Sequence, residues 1–209
     1  MELADRGTLQ DAIDMGWLEA RSRPGISASR VTATALEVAR GMRALHRAGV
    51  VHGDLHGYNV LLSSHCPGAS TAGRGFGACI ADVGLSRAAR RGEDLLSSNP
   101  YGLVAHTAPE VLQGGPPSKA ADVYSFGVLL WSMATGSRPW AGVPPAAIVE
   151  AVSRQGGALA FPHWAPLTLR DLGESCLASD PATRPAFSAI QAALEDFLLA
   201  LQQDHFEDL

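Results

Sequence analysis

Apolar positions Leu36, Ala39, Met42 and Leu45 recur at helical spacing between Val31 and residue 48, with Glu37, Arg40, Arg43 and Arg47 on the other face. Gly49 follows as a stop signal, so the spacing predicts an amphipathic helix over 31–48. The short runs Val60-Leu61-Leu62 and Cys79-Ile80-Ala81 predict two strands, and residues 63–77 between them, rich in Gly, Ser and Ala, predict a loop insertion. From Asp122 through Trp131 the pattern changes: positions are apolar nearly all round, which places a helix at the centre of a domain. Three more helices are predicted at about 145–154, 167–178 and 186–201. The last carries Phe187, Ile190, Leu194, Phe197, Leu198 and Leu201 as one stripe, with Pro185 expected at its first position. Upstream, residues 1–15 are polar and Gly-punctuated before a short amphipathic pattern, and 16–30 read as a loop with Pro24, Gly25 and three serines. The fold class expected is α+β, predominantly α, in one domain without internal repeats.

Composition narrows the function classes. With 209 residues, 46% hydrophobic and 18% charged, the chain is long enough for a substantial core and reads as globular. A net charge of −5, with no basic run longer than a pair, argues against nucleic acid as a partner. Cys66, Cys79 and Cys176 are odd in number and lack metal-ligand spacing, so a reducing, cytoplasmic location is expected. No signal peptide is expected from the polar N-terminus, and the run Val123 to Ala134 is too short to span a bilayer. Gly73-Arg74-Gly75-Phe76-Gly77-Ala78 imitates a dinucleotide fingerprint but leads into a strand rather than opening a helix. Lys119 is the only lysine, so a mechanism that grips phosphate with lysine must use that one or do without.

The chemistry sits in His52-Gly53-Asp54-Leu55-His56-Gly57-Tyr58-Asn59-Val60-Leu61-Leu62, between the first long helix and the first strand. A carboxylate beside a nucleophilic hydroxyl can accept its proton, and an asparagine carbonyl can hold a hard cation through oxygen. This stretch resembles the catalytic loop H-R-D-L-x-x-x-N of the protein kinases, with Gly53 for the arginine and His56 where serine/threonine kinases carry lysine. The form H-G-D-L-H-x-x-N also resembles the aminoglycoside and choline phosphotransferases, which share the catalytic core but act on small molecules. Downstream segments decide between them. Asp82-Val83-Gly84 is similar to the kinase D-F-G, and Ala108-Pro109-Glu110 to the A-P-E that the small-molecule enzymes lack. Asp180-Pro181-Ala182-Thr183-Arg184-Pro185 matches D-P-x-x-R-P. Asp122 to Trp131, with Thr135-Gly136 and Arg138-Pro139-Trp140 beyond it, resembles the central C-lobe helix of tyrosine-kinase-like protein kinases.

The chain is thus identified as a member of that group, resembling its C-terminal lobe only. The resemblance implies a hinge and first helix over 1–15, a catalytic loop over 51–62, an activation segment over 82–110 and a helical lobe over 122–203. The activity implied is phosphoryl transfer from ATP to protein serine or threonine. Asp54 would be the base, His56 would stand in the place of lysine, Asn59 and Asp82 would hold Mg2+, and Leu61 would lie beneath the adenine. His52, Gly84, Glu110, Asp122 and Arg184 would be structural, with Glu110 paired to Arg184 and Asp122 bonded to the backbone of the catalytic loop. The partner implied is a protein; no oligomeric state is implied.

Other residues depart from the family pattern. The 51 residues before His52 carry no Gly-rich loop and no lysine. Leu103 stands where a threonine braces the catalytic aspartate, and Gly53 removes the usual charge partner of a phosphorylated activation loop. Three readings follow: a serine/threonine kinase of which this is the C-lobe part, a catalytically inactive, pseudokinase-like binding module, or a truncated gene product. The sequence taken alone is expected to bind ATP weakly and to be inactive.

Overall fold

The computed structural model describes residues 4–19, 27–66, 71–83, 104–155 and 159–207. Gly84 and Leu103, and Pro24 and Gly25 of the early loop, lie outside the described residues. Helix α1 (Leu9–Asp14) starts on a capping box, where Thr8 Oγ1 accepts from Asp11 N–H and Thr8 N–H donates to the Asp11 carboxylate. Helix α2 (Ala28–Arg47) is capped by Ser27 and ends at Ala48, with Gly49 in the left-handed region just beyond. It begins inside the segment that the sequence suggests is loop, because Ser27 supplies a cap. Strands β1 (Val60–Ser63) and β2 (Gly77–Ile80) form an antiparallel hairpin in which Leu61 faces Cys79. Ala81 falls just outside the strand: its N–H still donates in register to Asn59 O at 2.9 Å, but Asn59 N–H bonds His56 O at 3.0 Å instead of returning to Ala81.

The C-terminal half is a helical packing around one central rod. After the short α3 (Pro109–Leu112) comes α4 (Lys119–Thr135), capped by Ser118 at one end and by left-handed Gly136 at the other. Of its side chains, Val123, Phe126, Val128, Leu129, Leu130 and Met133 are almost wholly buried, which is why its sequence shows no polar stripe. Gly127 permits close approach to α6 (Leu167–Cys176): a Cβ there would meet Cys176 Cβ at 2.9 Å and Leu177 at 3.0 Å. Helix α5 is Pro145–Gln155 and α7 is Phe187–Glu207. Pro185 is not the first residue of α7: Ile190 N–H reaches back to Ala186 O, so the helix opens two residues after the proline. Helix α7 also runs past residue 201, carrying the stripe Phe187, Ile190, Leu194 and Leu198 against α2. Arg40–Glu195 (2.8 Å) and Arg43–Gln191 (2.9 Å) flank that contact.

The insertion between the strands is tied to α2. Arg74, the charged residue in the Gly-rich stretch, makes a bidentate pair with Glu37 (2.6 and 3.0 Å) and bonds Thr34 Oγ1. The same Glu37 accepts from Ala78 N–H at 2.8 Å, so one carboxylate anchors the insertion and β2 together. Among the described residues, no helix is long and apolar enough to cross a membrane.

Candidate active site

The candidate catalytic loop, residues 51–62, rests on the N-terminal end of α4. Asp122, 1% exposed, accepts three hydrogen bonds: from Gly53 N–H at 2.7 Å, His52 N–H at 2.9 Å and His46 Nε2 at 2.8 Å. A buried carboxylate needs such donors, because an unpaired one is among the most expensive groups to bury. Gly53 has φ +74°, a backbone conformation that glycine adopts without the steric cost a Cβ brings. Lys119 Nζ donates to His46 O at 2.6 Å, across the C-terminal turn of α2. The single lysine is therefore committed beneath the loop, at a helix C-terminus whose dipole favours a cation.

His52 joins the loop to the second strand. Its Nδ1 accepts from Asp54 N–H (3.2 Å) and its Nε2–H donates to Ala81 O (3.0 Å), while Ala81 N–H donates to Asn59 O. Both peptide groups flanking Ala81 are thus fastened to the catalytic loop, and Asp82 follows directly. Asp82 is exposed and has φ +56°, so the chain turns sharply at the aspartate itself.

Asn59 is 8% exposed, and its amide nitrogen donates to Asp54 O (2.9 Å) and Asp54 Oδ2 (3.2 Å). That leaves the amide oxygen as the atom with acceptor capacity. The Asp54 side chain is 23% exposed, and His56 Nε2 lies 3.6 Å from its Oδ1. His56 Nδ1 accepts from Tyr58 N–H at 3.2 Å, and its Nε2 also lies 3.2 Å from the Asn59 amide nitrogen. The structure therefore brings Asp54, His56 and Asn59 into direct contact and holds Asp82 beside them through Ala81.

Leu61, half-buried in β1, is bracketed by Cys79 on one side and a single bridge to Thr8 on the other. Residues 6–8 run alongside β1, with Arg6 N–H to Leu62 O and Leu62 N–H to Gly7 O, so the hinge-like segment borders the Leu61 position. Glu110 and Arg184 form a bidentate pair at 2.7 and 2.9 Å. The burial falls on the arginine: its side chain is fully buried, whereas that of Glu110 is 26% exposed. Arg184 also donates to the carbonyls of Ala178 and Ala120 and lies over the Tyr124 ring.

Sequence reasoning missed three members of this site. His46 and Lys119 lie 76 and 73 residues from their partners in the fold, and only a polar residue in the last turn of α2, one turn before the loop, hinted at the first. His106 is the third: its ring centroid lies 6.1 Å from that of His56, and Ser125 Oγ donates to its carbonyl at 2.8 Å. Burial, and then the neighbouring His56, depress its pKa to about 3, so it is neutral across the physiological range.

Residues 1–194 match the family described as protein tyrosine and serine/threonine kinase. A probable serine/threonine-protein kinase of Dictyostelium discoideum is 31% identical over 162 residues, 78% of this chain and 16% of that protein. Serine/threonine-protein kinase CTR1 of Arabidopsis thaliana is 32% identical over 179 residues, 85% of this chain and 20% of that protein. Mitogen-activated protein kinase kinase kinase 11 of Rattus norvegicus is 35% identical over 164 residues, 77% of this chain and 19% of that protein. The chain spans a quarter or less of the length of these relatives. With its kinase-like helical lobe, its ordered motifs and this match over nearly its whole length, the chain belongs to the protein tyrosine and serine/threonine kinase family.

Proposed function

We propose that this chain supplies the catalytic-loop lobe of a protein kinase that transfers phosphoryl groups from ATP to serine or threonine in a protein. The observation that carries the reading is the bonded set joining Asp54, Asn59 and the backbone before Asp82 through His52. In it Asp54 accepts the proton of the attacking hydroxyl, and Asn59 orients the Asp54 carboxylate through its amide nitrogen. His56 takes the lysine's place beside Asp54, and Leu61 forms the floor for the adenine. The donor set fits magnesium: one amide oxygen, from Asn59, and one exposed carboxylate, from Asp82, leave room for the waters and phosphates this ion retains. Bound there, the ion would neutralise phosphate charge during transfer. Residues 1–15 serve as hinge and first helix, 51–62 as catalytic loop, 82–110 as activation segment and 122–203 as helical lobe.

A second reading, a pseudokinase-like binding module, is favoured by one contact. The only lysine bonds His46 O, so within these 209 residues no lysine is placed to grip phosphates. Phosphoryl transfer depends almost wholly on positioning and electrostatics. For the 209-residue polypeptide, Mg-ATP affinity is expected at about −4 kcal/mol or weaker, the millimolar range. The test compares this polypeptide with the same residues preceded by a lobe bearing a Gly-rich loop and a lysine. Expected are no transfer from the first, and from the second transfer to a generic protein substrate that Asp54→Asn abolishes. A two-lobed protein that binds Mg-ATP but transfers nothing favours the binding module. Robust transfer by the 209 residues alone, lost in Asp54→Asn, overturns the need for a second cation source.

A further inference from the structure

Cys66, early in the insertion, and Cys79, in β2, lie thirteen residues apart, and the hairpin folds them together with their sulfurs 2.9 Å apart. Neither placement is loose. Cys79 is fixed in β2 opposite Leu61. Cys66 ends a turn whose Ser64 is held at both backbone and hydroxyl by Asp5 (2.8 and 2.6 Å), with His65 N–H donating to Ser63 Oγ. A covalent S–S bond is about 2.0 Å long, so roughly 1 Å of movement separates contact from bond. Among the described residues no group of three His, Cys, Asp or Glu side chains is placed to hold a metal, so metal binding does not account for the pair. Both residues line a groove of about 700 Å³ that also includes Leu36, Gly41, Ile80 and Leu198. One is accessible and the other sheltered: Cys79 is exposed, whereas Cys66 is 8% exposed.

We propose that Cys66 and Cys79 are a reversible thiol–disulfide couple, a redox modification site that locks the insertion to the hairpin. The oxidant is a small disulfide of the glutathione class, able to enter the groove. The exposed Cys79 thiolate attacks one sulfur of the oxidant, forming a mixed disulfide and releasing one glutathione thiol. Cys66 thiolate then attacks the Cys79 sulfur and releases the second. Two S–H bonds are lost and one S–S bond forms, while the oxidant gains both electrons and both protons as two thiols. Cys66 follows β1 and Cys79 lies in β2 two residues before Ala81, so the bond would tie the turn after β1 to the strand that leads to Asp82. Cys176 provides an internal control: burial pushes its thiol up to about 12, and it lies at the end of α6, away from the hairpin.

The test equilibrates the 209-residue chain with oxidised and reduced glutathione, quenches with acid, alkylates the remaining thiols and maps peptides by mass spectrometry. Expected is a peptide pair joined through Cys66 and Cys79, two hydrogens lighter, with Cys176 alkylated only after unfolding and the bond reversed by dithiothreitol. Cys66→Ser should then trap a lasting glutathione adduct on Cys79, because the resolving thiol is gone. Cys79→Ser should slow adduct formation on Cys66 by tenfold or more. If the unsubstituted chain carries only glutathione adducts, keeps both thiols at every glutathione ratio, or pairs either cysteine with Cys176 or a second chain, the proposal is overturned.

Discussion

The catalytic loop has an underside and an outer side, and they are built differently. Underneath, Asp122 is saturated by three donors, Lys119 closes the end of α2, and Arg184 spans Glu110 and two carbonyls. Asp122 and Arg184 are buried and stand in family motifs, whereas Lys119 is exposed and Glu110 half-buried. On the outer side Asp54, His56 and Asp82 are partly or fully exposed, and Gly53 and His56 replace the arginine and lysine of the motif. The difference separates two constraints. A buried polar group that loses its partner costs about 1–3 kcal/mol in every folded molecule, whatever the protein does. An exposed carboxylate or imidazole contributes little to folding, so its identity is set by chemistry alone.

The largest expected effect lies underneath. Arg184→Ala strands the Glu110 carboxylate and the carbonyls of Ala178 and Ala120, and should cost about 3–5 kcal/mol in urea unfolding. Adding Glu110→Ala should recover part of that loss, and strictly additive losses would count against the pairing. Next, Asp122→Ala should destabilise by about 1–3 kcal/mol and speed hydrogen exchange at the amides of His52 and Gly53. An unchanged melting temperature would remove Asp122 as the fastening point.

A pH effect marks the boundary between the two sides. In the folded chain His106 is depressed to about 3, below its usual 6.5, by burial first and by His56 second. The unfolded chain binds that proton more readily, so acid favours unfolding. This contribution to stability is complete above pH 6.5 and is lost progressively as pH falls toward about 3, with a slope approaching 1.4 kcal/mol per unit, to order of magnitude about one proton. His106→Gln should lower the slope of unfolding free energy against pH by that proton in the same window. An unaltered slope would mean that His106 is not held neutral by its surroundings. The smallest effect belongs to the outer side: Asp54→Asn should shift stability by about 0.5 kcal/mol or less. A loss as large as that of Asp122→Ala would erase the contrast.

Much of this architecture is legible in the sequence, for identifiable reasons. The central helix announces itself because Val123, Phe126, Leu129, Leu130 and Met133 leave no polar face. The order of the motifs places Asp54, Asn59, Asp82, Glu110, Asp122 and Arg184 in a known sequence of elements. Contacts set by tertiary approach were not legible. Nothing local ties His46 to Asp122 or Lys119 to His46 O, since those bonds depend on how α2 and α4 meet. The cysteines read as three unrelated thiols because a long insertion hides the register that pairs two of them. Pro185 suits the first position of a helix by residue type, yet lies two residues before α7, because Ala186 supplies the capping carbonyl. At Asp82, residue type gave no sign of the left-handed backbone that starts the turn.

The most direct test of the account asks where a divalent ion and nucleotide gather. Mn2+, added with a non-hydrolysable ATP analogue to the isotopically labelled 209-residue chain, broadens the amide NMR signals nearest to it, and does so even at millimolar affinity. Broadening should centre on Asn59, Ala81 and Asp82 and should disappear in the Asn59→Ala, Asp82→Asn double variant, while the spectrum elsewhere shows the fold intact. Broadening centred away from the hairpin and catalytic loop, or a pattern that the double variant leaves unchanged, would contradict the assignment of this site.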